Sequence, residues 1–444
     1  MGYKKPFTLF LCLVLLLYLL IAPYFLFSID KGSLKDGELE ETTNWQGVIT
    51  LWDIPRNTIS GSSFGWIKTR ITNFENENPG VFIDLRELNY DNNKEILQRA
   101  AIAESEDRPD ILPFFIENST IPLENIESLN MWISEETWGQ IKEEYAQAIS
   151  YKEDILAMPF ASSGNVLLIN KDLLQNYNYN IPQSNEWRYE EFIEFIDKIE
   201  EERDKEEQDI LIFDAYVGFG EGSVLPILLS DGGQIYQQDQ QRFAFYQPEM
   251  VSGLQKLINI KNKASTHEEF GFRDKSEVYK DFLENQITLI LAADSNVIYV
   301  LESLKKQGEG FSYAVMPYPK GNIDIPIWYS HNISAYAMLK NDNKEKQKMI
   351  YKFLEYLIQE ESQKSLKQLG AFPVNNKIKD FYKEEVLIEG LFNIGYEYQT
   401  HPYNPNWEGI EGEIIKSIQS VLDERKTPTQ AFKELQGLLD NIEK

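Results

Sequence analysis

Between residues 48 and 112 the sequence switches repeatedly between two periodicities, and this switching limits the fold more than any other feature. Residues 48–54 form an apolar run of strand type. Phe64, Ile67, Ile71 and Phe74 then recur at helical spacing until Asn78, Pro79 and Gly80 end the helix. Residues 81–85 alternate as a strand. Ile96, Leu97, Ala100 and Ala101 share one face of the next helix, and Arg108-Pro109-Asp110-Ile111-Leu112 starts a third strand. Strands and helices in strict alternation predict a mainly parallel sheet covered by helices.

A second constraint lies at residues 151–174. A polar turn (Tyr151, Lys152, Glu153, Asp154) leads into an apolar strand ending at Pro159-Phe160. Small residues follow at Ala161, Ser162, Ser163 and Gly164. A second apolar strand, 166–169, then runs into a helix start at Asn170-Lys171-Asp172. Further on, Trp407, Ile410, Ile414, Ile418 and Val421 keep helical spacing. Thr427, Pro428 and Gln430 predict a last helix with Thr as N-cap, Pro in the first turn and Gln closing a capping box. Residues 344–369 read as one long amphipathic helix closed by Gly370. The acidic run 200–208 reads as a solvated helix end or loop.

The 444 residues suffice for two domains, and 42% hydrophobic with 26% charged residues is a globular composition. The formal net charge of −28 argues against nucleic acid and against adhesion to anionic lipid, both of which require clustered Lys and Arg. Cys12 is the only cysteine, so no internal disulfide can form. His267, His331 and His401 have no metal-site spacing. The glycine-rich run 218–222 lacks both GxGxxG and a P-loop lysine, and residues 91–95 do not open an EF-hand. No cofactor and no metal are expected. A glycosidase would need two carboxylates at a fixed separation, and no segment singles out such a pair among 71 acidic residues.

Phe7 to Ile29 carries no charge and follows Lys4 and Lys5. About 20 apolar residues span a bilayer, whereas a signal h-region runs to about 15. The expectation is an N-terminal transmembrane anchor (1–30) and a flexible acidic tether (31–45). A cleaved signal, or a lipid on Cys12, is the alternative. Each puts the remaining chain outside the cytoplasm.

Taken in order, these segments resemble the extracellular solute-binding proteins of ABC importers, the sugar-binding class of maltose-binding-protein type. The likeness runs over about residues 46–440. It includes the opening strand–helix–strand order, the 151–174 segment, Ser230-Asp231-Gly232-Gly233, Phe282-Leu283-Glu284-Asn285 (Asn where Gly is usual), and 311–319. The resemblance implies an α/β fold of two lobes, type II, with a ligand cleft between them. Lobe 1 would hold 46–158 and 295–339, and lobe 2 would hold 159–294 and 340–444. It implies that 151–174 crosses between lobes and lines the cleft, and that 311–319 returns to lobe 1.

Ligands in α/β folds bind at the carboxyl ends of strands. A sugar needs rings against its C–H face and Asp, Asn, Ser or Arg on its hydroxyls. These rules select Trp52, Asp53 and Arg56 after the first strand, and Phe114 at the end of the third. They also select Phe160, Ser162 and Ser163 at the crossing. The resemblance adds Asp110, Asp294 and Ser295 (where relatives carry Gly-x-Trp), Trp328, Tyr329 and His331 (where relatives carry a Gly-Gly turn), and Trp407. The expected function is the binding component of an importer: a monomer that takes up a small solute, a carbohydrate or oligosaccharide, and hands it to ABC permease subunits at the outer membrane face. Two alternatives stay open: a sensor that presents its closed state to a membrane kinase, and an extracellular carbohydrate-active enzyme.

Overall fold

The computed structural model describes residues 45–442, except 57–61, 90–92, 103–107, 117–120, 178–180, 182–185, 207–209, 379–380, 382–390 and 392–393. The expected anchor and tether lie outside the described residues. No helix among the described residues is long and apolar enough to cross a membrane.

Two sheets organise the chain. The first has six strands in the order Phe372–Pro373, Met158–Ser162, Ile333–Met338, Ile111–Phe114, Gly47–Asp53, Val81–Glu87. The second has four, in the order Tyr313–Met316, Asn165–Asn170, Thr288–Asp294, Leu211–Ala215. The opening strands of the first sheet are parallel, with Leu51 opposite both Leu85 and Ile111. Ile333–Met338 inserts antiparallel between Ile111–Phe114 and Met158–Ser162. Each sheet is therefore mixed.

Side-chain alternation assigns the faces. Strand residues point to opposite sides in turn, so Val166, Leu168, Leu291 and Ala293 join the core that also fills the first sheet. Their neighbours Leu167, Ile169, Ile290 and Ala292 belong to a second core under the helices Pro248–Lys263 and Trp407–Leu422. Thr288–Asp294 is buried along its whole length, as a central strand covered on both faces must be.

Local signals set the element ends. Helix Gly65–Glu77 buries Trp66, Ile67, Ile71 and Phe74 and stops at Asn78, whose amide donates back to Phe74 O at 2.8 Å. Gly80 follows with φ +92°, where a side chain would also strike Gln46. Thr427 caps the last helix, Pro428–Ile442, and exchanges hydrogen bonds with Gln430 in both directions.

Two expectations about layout need correction. Tyr313–Met316 does not return to the first lobe: it pairs antiparallel with Asn165–Asn170 in the second sheet. Helix Lys344–Ile358 packs on Met158–Ser162 and Ile333–Met338, so this part of 340–444 belongs with the first sheet. Nor is 344–369 one helix. Gln359 takes extended backbone (ψ 156°) and divides it into Lys344–Ile358, Glu360–Lys364 and a 3₁₀ turn, Ser365–Leu369, which Gly370 closes at φ +64°.

Candidate functional site

The chain passes between the sheets at Ser163–Gly164 and again at residues 330–332, and the turn after Thr288–Asp294 meets both passages. The three segments are hydrogen-bonded to one another. Ser163 N donates to Asn332 O at 3.0 Å, and Ser295 N donates to Gly164 O at 2.8 Å. Gly164 N donates to Ser295 Oγ at 3.3 Å. Glycine is required at 164 because a β-carbon there would lie 2.1 Å from the Trp328 indole.

A buried polar cluster sits at this crossing. Asp294 Oδ2 accepts from Ser163 Oγ at 2.6 Å and faces His331 Nε2 at 3.5 Å. Its backbone N–H points at Glu221 Oε1, 3.4 Å away. Glu221 is itself buried, paired with Lys275 and hydrogen-bonded by the Tyr279 hydroxyl. Burial and the neighbouring Glu221 hold the Asp294 carboxyl above the usual carboxylate range, against the pull of His331 and Ser163. Burial pushes Glu221 the same way most strongly, but Lys275, His331 and the Tyr279 hydroxyl together outweigh it and Glu221 ends below that range.

The second polar centre stands at the carboxyl edge of the first sheet. Asp53 ends its strand and is fully buried. It is paired with Arg56 and accepts a hydrogen bond from Tyr336 Oη at 2.8 Å. Beneath the pair runs a stack of rings. Trp66 lies on Phe160 (5.3 Å, 14°) and Phe160 on Tyr336 (4.8 Å, 20°), with the Arg56 guanidinium 5.1 Å above Phe160. Burial alone would lower the pKa of Arg56, but Asp53 and Tyr336 hold it above the ordinary value. The other oxygen, Asp53 Oδ1, is buried without a hydrogen-bond partner among the described residues.

The sequence-selected residues thus fall into groups. Asp53, Arg56 and Phe160 come together in the centre at the edge of the first sheet; Ser163, Asp294, Ser295 and His331 come together in the crossing. Tyr329, His331 and Trp407 share the walls of a cavity of about 30 Å³, the size of one water. Trp407 is buried, stacked on His401 at 3.4 Å and tilted against Phe243. Trp328 packs edge-on to Phe372 and Tyr396.

Others stand apart. Asp110 heads its strand instead of ending it, level with Thr50, about 10 Å along the sheet from Asp53 at roughly 3.3 Å per residue. It accepts from Thr50 N and Oγ1 and pairs with Lys346, a structural tie at the amino edge. Ser162 donates to Tyr145 Oη. Trp52 lies under the Arg86 guanidinium, and Phe114 packs on Tyr403.

Glu221, Lys275, Tyr279 and Tyr336 escaped sequence reasoning. Glu221 sits inside the glycine-rich run that reads as a plain loop, and Tyr336 looks like one more core residue in a buried strand.

A two-lobed fold whose polar centres lie at the crossings and at strand carboxyl edges is the architecture of solute-binding proteins. The sequence agrees: residues 69–389 match the family model described as bacterial extracellular solute-binding protein, and the chain belongs to that family. Its members are binding proteins and not enzymes. No curated protein matches the sequence. Solved structures with the same fold include the cyclic alpha-maltosyl-1,6-maltose binding protein from Arthrobacter globiformis, at 13% identity and TM-score 0.74, covering 90% of this chain and 99% of that one. The sugar-binding protein MalE from Xanthomonas citri aligns at 15% identity and TM-score 0.69, over 89% and 97%. Maltose-bound T. maritima MalE3 aligns at 16% and 0.65, over 89% and 99%.

Proposed function

We propose that this chain is the binding component of an ABC importer. In this reading it takes a carbohydrate, an oligosaccharide or glycoside, between its two lobes and delivers it as a monomer to membrane permease subunits. The observation that carries the proposal is Asp53. Its Oδ1 is a buried carboxylate oxygen without a donor among the described residues, and an unsatisfied buried acceptor is costly. A sugar hydroxyl is a donor that would satisfy it. Arg56 adds hydrogen-bond donors beside it, and the Phe160 and Tyr336 rings supply an apolar surface for C–H faces. The three solved structures of similar fold named above are sugar-binding proteins, which agrees with this reading.

The crossing supplies the coupling. Ligand contacts on one lobe and the Asp294–His331–Glu221 cluster on the joint would make closure depend on occupancy. A closed pair of lobes would offer a permease one composite surface. The uncharged segment from Phe7 to Ile29 would hold the protein to the outer membrane face.

The test is thermal unfolding of the full chain against a panel of mono- and oligosaccharides. A sugar at 100 times its Kd should stabilise the folded state by about 2.7 kcal/mol. A shift confined to one sugar class, with the sugar recovered intact, is the expected outcome. No shift with any sugar would sink the carbohydrate reading.

A further inference from the structure

A cavity of about 680 Å³ lies between the lobes and shares no residue with either polar centre. Its first-lobe wall is Trp138, helix Glu143–Ala148 and the turn at Tyr151; its second-lobe wall is formed around strand Tyr236–Gln237 and the last helix at Ile442. Residues 402–406 lie between the two walls, with Tyr403 N donating to Ala148 O at 3.0 Å and the Tyr403 ring set edge-on to Tyr151. A side-chain hydrogen bond spans the gap, from Gln238 Nε2 to Gln147 Oε1 at 2.9 Å.

The chemistry of the walls narrows the occupant. Ligand pockets run from about 300 to 1,000 Å³, so the volume fits a small molecule. Trp138, Tyr151 and Tyr236 are only half-buried and have ring surface to offer. The amides of Gln147, Gln238, Gln241 and Asn404 both donate and accept. Among the lining residues the only charged side chains are one acid, Glu143, and one base, Lys152. No charge excess favours an anion or a cation. Rings for C–H faces and neutral amides for hydroxyls suit an uncharged polyhydroxyl compound.

We propose that this cavity is a second saccharide-binding site, whose occupant bridges the lobes and fixes the distance between them. Because the walls belong to different lobes, filling the gap changes how readily the crossing opens or closes, so the second site tunes affinity at the first.

The experiment is isothermal titration of the full chain with maltotetraose, cellotetraose and xylotetraose. With at least one of these, two sugars bind per chain. Tyr236→Ala and Gln238→Ala, at positions that are not fully buried, each weaken one phase at least tenfold and shift the other by a smaller factor that measures the coupling, while Asp53→Asn removes that other phase. Emission of Trp138, isolated by comparison with Trp138→Phe, follows only the first-named phase. A single sugar that Tyr236→Ala abolishes and Asp53→Asn spares still supports the second site, and counts against the Asp53 centre instead. One sugar per chain that both wall variants spare overturns the proposal. So do two phases that both variants leave within twofold, and so does the absence of binding by all three sugars.

Discussion

The Asp53–Arg56 pair and the Asp294–Glu221 cluster use the same chemistry in opposite ways. Asp53 and Arg56 stand three residues apart, on rings that all pack in the core of the first sheet. That centre is assembled from the strands of the first sheet and the segments that pack on it. The crossing cluster collects Ser163, Glu221, Lys275, Asp294 and His331 from segments far apart in the chain, at the passages between the sheets and beside the second sheet. Its cation also differs. The Arg56 side chain is 15% exposed, whereas that of Lys275 is 50% exposed and already half in water. A rigid pair suits recognition, and a joint with one wet member suits movement.

The largest expected effect tests that contrast directly. Asp53→Ala leaves a buried guanidinium unpaired and should cost about 3–5 kcal/mol. Glu221→Ala lets Lys275 turn to solvent and should cost less, about 1–3 kcal/mol. Equal losses in denaturant titration would show that the two centres are equally rigid and would break the comparison.

A smaller effect sharpens it. Gly164→Ala drives a methyl into the Trp328 indole at the joint, and overpacking of this kind costs about 1–3 kcal/mol. The joint reading requires saccharide affinity to change along with the melting temperature. Lower stability with unchanged affinity would mean that the crossing holds the lobes together without governing closure.

The last effect is not all-or-none but graded by pH. Burial pushes His401, stacked on Trp407, from the ordinary 6.5 down to about 3. Between those values the unfolded chain binds a proton that the folded chain does not. Stability is therefore complete above 6.5 and falls as pH drops through the window, by up to about 1.4 kcal/mol per pH unit. His401→Phe keeps a ring on Trp407 and removes the proton site, so its stability should fall less steeply than that of the wild type from pH 6.5 downward. Parallel curves would count against a neutral His401.

Much of this architecture was legible in the sequence wherever the signal was local. Asn78-Pro79-Gly80, the Thr427–Gln430 box and the small residues at the first crossing all act through neighbours in the chain. Asp53 could be placed at the end of its strand because a strand end can be read from a few residues. The lobe assignment of Tyr313–Met316 could not be read that way, since its apolar alternation fits either sheet and only pairing decides. Glu221 lies 54 residues from Lys275 and 73 from Asp294, and nothing near it marks one buried acid among so many solvated ones. Trp407 satisfied the pattern for a ring near the cleft, and the structure seats it in the second core, because a contact with a core and a contact with a cavity wall leave the same trace in a helix.

The place of Ile333–Met338 has a consequence for biosynthesis. The first sheet cannot be completed until this strand has been made, because it separates Met158–Ser162 from Ile111–Phe114. The four strands of the second sheet all lie within residues 165–316 and are available earlier. The lobe that begins first on the ribosome is thus the one that finishes last, and the nascent chain carries three unclosed parallel strands while the stretch from Phe114 to Ile333 is made. Long-range strand pairing of this kind is slow to form, a delay that leaves the chain threadable while it is still being made.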